Sequence, residues 1–133
     1  MVRTNIIKTY REIRNRREDF IVRYKLYFPQ DGGRKVTFQH LRCDFMYEGD
    51  DPEKDGIYMI HPEFLNENGD PVSEDTPVSL AGKASMWVIV EEMKEKVHRQ
   101  RVKIGVHGYF MEGARKIGEV VVEEIVGLSE SHA

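Results

Sequence analysis

A run with a period of two, residues 20–28, constrains the fold of this chain more than any other feature. Apolar side chains occupy every second position: Phe20, Val22, Tyr24, Leu26 and Phe28. This alternation is typical of a strand that buries one face. Pro29 ends the run, and Asp31-Gly32-Gly33 is a turn signal of the hairpin type. The run therefore predicts an antiparallel strand followed by a turn.

Shorter apolar runs follow, separated by turn clusters roughly every ten residues. We expect further strands within 35–47 (one or two), 57–60, 84–90, 101–110 and 116–126, and a short helix at 91–97. The order shows no alternation of strands with helices and no internal repeat. Many short strands of this kind favour an all-β barrel or sandwich.

The N-terminal segment differs from the rest in charge. Residues 1–17 carry six basic residues and one acidic residue. Ile6, Tyr10 and Ile13 form one apolar stripe at helical spacing, and Asn5 could cap the helix. A disordered or strand-like arm is the alternative. Because 133 residues fit one domain, we assign 1–17 as a basic arm or short helix and 18–133 as a single β domain, a barrel or a sandwich.

Charge is distributed unevenly behind a formal net charge of -3. Residues 44–76 contain eleven acidic residues and one basic residue, whereas residues 94–116 contain seven basic and two acidic residues. The total excludes a protein that is basic all round, as many nucleic-acid-binding proteins are. It leaves room for one basic face.

Residues that carry catalysis or metal binding do not form a recognisable set. Cys43 is the single cysteine and lies in an apolar-rich segment typical of a buried thiol. The histidines lack the spacing of metal ligands, and no serine lies in a nucleophile elbow. We therefore expect a protein without enzymatic activity, metal or cofactor. No apolar run reaches the roughly 20 residues of a membrane span or forms a signal peptide, so we expect a cytoplasmic location.

Three segments in series give a family resemblance. The closing hairpin, 102–122, has Glu112-Gly113, Arg115 and Gly118 at its turn. The strand 20–28 is followed by Gly32-Gly33-Arg34, and 41–47 ends in an Arg-x-x-Phe-x-Tyr pattern. Together they resemble the C-terminal (third) barrel domain of elongation factor Tu. The resemblance implies a six-stranded antiparallel closed β-barrel, here as a stand-alone domain, so we expect 18–133 to form a single β-barrel domain. The phosphate-binding loop of a GTPase is missing from the sequence.

The resemblance also implies a function. In that family the barrel contacts transfer RNA and protein partners, and the Glu-Gly of the last turn faces the RNA backbone, which matches Glu112 and Gly113. Alternation within 101–110 predicts that Arg101 and Lys103 share one face. We expect a basic face for RNA or a translation-related protein, formed by Arg99, Arg101, Lys103, Glu112, Gly113, Arg115 and Lys116. The alternative is a structural or protein-interaction barrel without RNA binding, in which opposite charges favour a homodimer.

Overall fold

A computed structural model describes residues 9–129, and two short helices and six strands account for most of its regular structure. In chain order these are α1 (Tyr10–Arg14), β1 (Phe20–Leu26), β2 (Asp44–Tyr47), β3 (Ile60–Leu65), β4 (Ala81–Val88), α2 (Arg99–Arg101), β5 (His107–Glu112) and β6 (Arg115–Ile125). A π-helical turn, Lys94–His98, leads directly into α2. Two 3₁₀ turns lie at Pro29–Asp31 and Gly127–Ser129.

The strands form one antiparallel sheet in the order β2-β5-β6-β1-β4-β3. The predicted strand at 20–28 is its centre: Phe20 pairs with Met86 of β4 on one side and with Ile125 of β6 on the other. All six strands contribute to one apolar cluster, so the sheet curls around a single core. The predicted six-stranded antiparallel all-β fold is confirmed.

The sheet is an open half-barrel, and the predicted closure of the barrel is wrong. Within residues 9–129, the free side of the edge strand β2 pairs only with Tyr58, which lies just before the other edge, β3: the backbone groups of Phe45 and Tyr58 exchange two hydrogen bonds of 2.8 Å. Pro62 lies in β3 and has no N–H with which to pair with another strand. The ladder between the two edges therefore stops after one pair.

The segment 37–43 fills the gap between these edges, although only 44–47 of the predicted strand region is a strand. Thr37, Gln39 and Cys43 are buried. The Gln39 amide replaces a strand: Oε1 accepts from Phe64 N at 2.7 Å, and Nε2 donates to the carbonyl oxygens of Phe64 (2.8 Å) and Val72 (3.1 Å). His40, at φ 67°, interrupts the extended backbone. The side chain of Gln39 thus hydrogen-bonds to backbone groups at the β3 edge that would pair with a neighbouring strand in a closed barrel.

The other boundaries show two kinds of error in the prediction. The fourth strand, Ala81–Val88, is shifted by two or three residues from the predicted 84–90. The third strand, Ile60–Leu65, shares only Ile60 with the predicted 57–60. The prediction of a strand over 101–110 is wrong for its first half, because α2 ends at Arg101 and β5 begins at His107. Gly105, at φ 92°, turns the chain between them, and Ile104 is 72% exposed. The alternation of Val102, Ile104 and Val106 therefore does not come from a strand.

The N-terminal helix packs across the outer face of β4. Thr9 caps it, its Oγ1 accepting from Glu12 N at 3.2 Å, and the Tyr10 ring lies 5.7 Å from that of Trp87. The proposed cap Asn5 and the first stripe residue, Ile6, lie outside the described residues, and Ile13 of the same stripe is exposed.

A buried ionic network joins this N-terminal segment to the sheet. Asp19 is fully buried; its Oδ1 lies 3.2 Å from the Arg16 guanidinium and 3.3 Å from Lys94 Nζ, and its Oδ2 accepts from Val88 N at 2.7 Å. Lys94 is itself almost completely buried and also contacts Glu91 at 3.0 Å. One carboxylate therefore connects the start of β1, the end of β4 and the π-helical turn.

Candidate functional site

The predicted basic face is divided between the two ends of the half-barrel. Arg99, Arg101 and Lys103 precede β5, whereas Glu112, Gly113, Arg115 and Lys116 lie at the turn that follows it. A six-residue strand separates the groups, and at a rise of about 3.3 Å between successive residues its first and last residues lie roughly 17 Å apart. The expectation that Arg101 and Lys103 share a strand face is wrong, because neither residue lies in a strand. We call the two ends apical and basal, respectively.

At the apical end, the arginines bind groups of the chain itself. Arg101 makes a bidentate ion pair with Asp50, at 2.8 and 3.0 Å, and its guanidinium lies 3.9 Å from the centre of the Tyr47 ring. The hydrogen bonds that Arg101 donates to the Asp50 carboxylate raise the pKa of Arg101. Arg99 donates to the Leu128 carbonyl at 2.8 Å and to Glu95 at 3.0 Å. Lys103 is exposed. This end therefore offers little free positive charge to a phosphate.

Beneath Arg101 lies a buried histidine. His98 Nδ1 is 2.7 Å from the Tyr47 hydroxyl, and the side chain is 1% exposed. Burial, together with the Arg101 charge, lowers the pKa of His98 to about 4. The imidazole is therefore neutral at pH 7, and the pair forms part of the core.

This histidine predicts a loss of stability in mild acid. Its pKa is lower in the folded state than the usual value of 6.5, so the unfolded chain takes up the proton first as the pH falls. We expect His98 to cost about 2 kcal/mol of folding free energy between pH 7 and pH 4.5. Urea unfolding of the wild type and of His98→Asn at both pH values measures this cost. Burial raises the pKa of Glu63, which acts in the opposite sense, so only the difference between the two proteins isolates His98. Equal pH dependence of the two proteins would contradict the assignment.

At the basal end, the turn of the last hairpin holds a compact charge cluster. Glu112 accepts from Arg34 and, at 2.7 Å, from Arg115. Lys116 Nζ lies 3.9 Å from the centre of the Tyr109 ring, and Gly113 takes a φ of 59° in the turn. Glu112 is therefore neutralised by two arginines.

Next to this cluster lies an apolar groove of about 270 Å³. It runs between the loop that follows β1 and the segment that leads into β4. Its apolar walls include Tyr27, Val36, Val78 and Leu80, and Lys35 lies on its rim. Val36 and Leu80 are each 49% exposed. This groove was not predicted, because Val36 and Leu80 follow turn signals and their sequence pattern does not reveal that they face solvent.

A second, more polar groove of about 580 Å³ lies on the other side of the same segment. Its lining includes Asn66, Glu67, Asn68 and Thr76. The segment 76–81 separates the two grooves: Val78 and Leu80 line the apolar groove, Ser79 and Ala81 line the polar one, and Pro77 contacts both. We call this segment the basal ridge. The basal end thus presents a ridge between two grooves of different character.

A small cavity of about 150 Å³ lies between α1 and the outer face of β3 and β4. Glu63 and Glu18 line it: Glu63 accepts from Tyr10 N at 3.0 Å, and Glu18 accepts from Arg11 at 2.6 Å and from Ser85 at 3.3 Å. Within residues 9–129, no group of three or more acidic, histidine or cysteine side chains could hold a metal ion. The carboxylates of this cavity therefore anchor the helix.

Comparison with protein-family models and with curated protein sequences finds no match. Across the described part of the chain, no helix is both long and apolar enough to cross a membrane.

Proposed function

We propose that this chain is a non-catalytic binding module whose partner is a protein, and that the partner binds at the basal end. The observation that carries the proposal is the apolar groove, in which Val36 and Leu80 stay half exposed beside Lys35. Exposed apolar side chains that converge on a groove with a polar rim are typical of protein contact surfaces. A phosphate backbone would leave these side chains unused.

Internal pairing of the cations supports a protein over RNA as the partner. Phosphate recognition depends on cations that can release counterions on binding. Here Arg101 is held by Asp50, and Arg34 and Arg115 are both held by Glu112. A phosphate would have to compete with these carboxylates for each arginine.

The burial of the most nucleophilic side chain, the thiol of Cys43, supports the non-catalytic part of this proposal. Cys43 is 1% exposed, and burial raises the pKa of its thiol. A buried neutral thiol is a poor nucleophile at neutral pH. The resemblance to the third domain of elongation factor Tu is retained within the proposal, and it makes a translation-related protein a reasonable partner to test.

A titration with transfer RNA separates this proposal from its RNA alternative. We expect no saturable binding of bulk transfer RNA, at either about 50 mM or about 200 mM salt, by the full chain in a filter-binding assay. Tight binding at low salt that weakens steeply at high salt would contradict the proposal. In that case Lys116→Glu and Lys103→Glu identify which end of the half-barrel is responsible.

A further inference from the structure

The basal end carries an uncompensated charge of each sign, on opposite sides of the ridge. Lys35 is exposed on the rim of the apolar groove, and Glu67 is exposed in the lining of the polar groove. Neither side chain makes an ion pair within residues 9–129. The neighbouring Lys83, by contrast, is paired with Glu123 at 2.8 Å. The charges of the two grooves are therefore complementary to one another.

Because its two grooves carry opposite charges, the basal end of one copy is complementary to the basal end of a second copy. A two-fold axis brings the same patch of both copies together. Each contact between one residue and a different residue of the other copy therefore occurs twice. An axis close to the basal ridge places the apolar groove of one copy against the polar groove of the other. Leu80, which is half exposed on the ridge of each copy, then covers part of the apolar surface that the other leaves exposed.

From these features we propose that the basal end binds a second copy of this chain and forms a two-fold symmetric dimer. Lys35 of each copy faces Glu67 of the partner subunit, and the exposed faces of Val36 and Leu80 are buried between them. The inference rests on the proposed protein-binding function and names the partner. A patch used twice in one interface doubles the effect of any single substitution within it.

Sedimentation velocity of the full chain, up to about 100 μM, measures the dimer. We expect a reversible dimer whose dissociation constant rises at least about tenfold in Val36→Asp. Ile104→Asp is the matched control, because Ile104 is an exposed apolar residue at the apical end, and its dimer should be unchanged. Circular dichroism and thermal unfolding establish that both variants fold. A wild-type chain that stays monomeric, or equal weakening by the two variants, overturns the proposal.

Charge reversal tests the orientation. Lys35→Glu and Glu67→Lys each place like charges together twice in a homodimer, so each variant alone should be mainly monomeric. An equimolar mixture should form a heterodimer, because both contacts then join opposite charges. Failure of the mixture to associate overturns the assigned pairing. Transfer RNA binding in the titration above would contradict the protein-binding function itself, so the two failures are distinguishable.

Discussion

Replacing Asp19 with alanine should destabilise the protein by about 3–5 kcal/mol. The substitution removes a fully buried carboxylate that contacts both Arg16 and Lys94 and accepts from Val88 N. The Lys94 ammonium then stays buried, with Glu91 as its remaining ion-pair partner among the described residues. Breaking a buried pair on one side is costly because it leaves a charge in a medium of low dielectric. Urea unfolding at pH 7 measures the loss.

Two further variants test the cause of this loss. Glu123→Gln removes a carboxylate of an exposed network with Arg23 and Lys83 and should cost about 1 kcal/mol or less. Asp19→Ala combined with Lys94→Met should be more stable than Asp19→Ala alone, because it removes the buried ammonium that would otherwise keep only the exposed Glu91 as its ion-pair partner among the described residues. If the double variant is the less stable protein, the buried charge is not the cause.

Replacing Gln39 with alanine should cost about 2–4 kcal/mol. The amide makes two buried hydrogen bonds to the backbone of Phe64 and a partly buried one to Val72. Its loss leaves the Phe64 N–H without a partner and opens a cavity between the sheet edges. We also expect faster aggregation on heating, because an uncovered edge strand pairs with other chains. Chemical unfolding and light scattering measure the two effects.

The exposed glutamine Gln100 provides the control for this experiment. Gln100→Ala should change stability by no more than about 0.5 kcal/mol. A cost below about 1 kcal/mol for Gln39→Ala, or the same aggregation rate in both variants, would show that the 37–43 segment does not seal the half-barrel through this side chain.

The strands that alternate most regularly could be predicted from the sequence. β1 buries Phe20, Val22, Tyr24 and Leu26 on one side, so its period of two is a direct consequence of burial. Residues 102–106 show the same alternation, but the sequence cannot show that Gly105 turns the chain there. That the barrel stays open could not be predicted either, since the Gln39 side chain makes hydrogen bonds that a strand pattern assigns to the backbone.

The candidate site was less accessible than the fold. The sequence predicts that Arg115 and Lys116 lie at the last hairpin, where the structure has them. It cannot show that Arg101 is held by Asp50, which is 51 residues away in sequence. It also cannot show that Arg34 and Arg115 share Glu112. Pairing over such separations depends on the tertiary fold. The apolar groove has the same origin, because Val36 and Leu80 come together only when the loop after β1 reaches the segment before β4.

The most direct test of protein binding at the basal end is capture by the immobilised full chain, with its groove variant and its control compared in parallel. The probe is a lysate of the source cells to which untagged chain has been added. We expect at least one protein, the untagged chain included, to be retained by the wild type and by Ile104→Asp but lost with Val36→Asp/Leu80→Asp. Retention of the same proteins by all three chains, or by none of them, would contradict the assignment of the apolar groove as the contact surface.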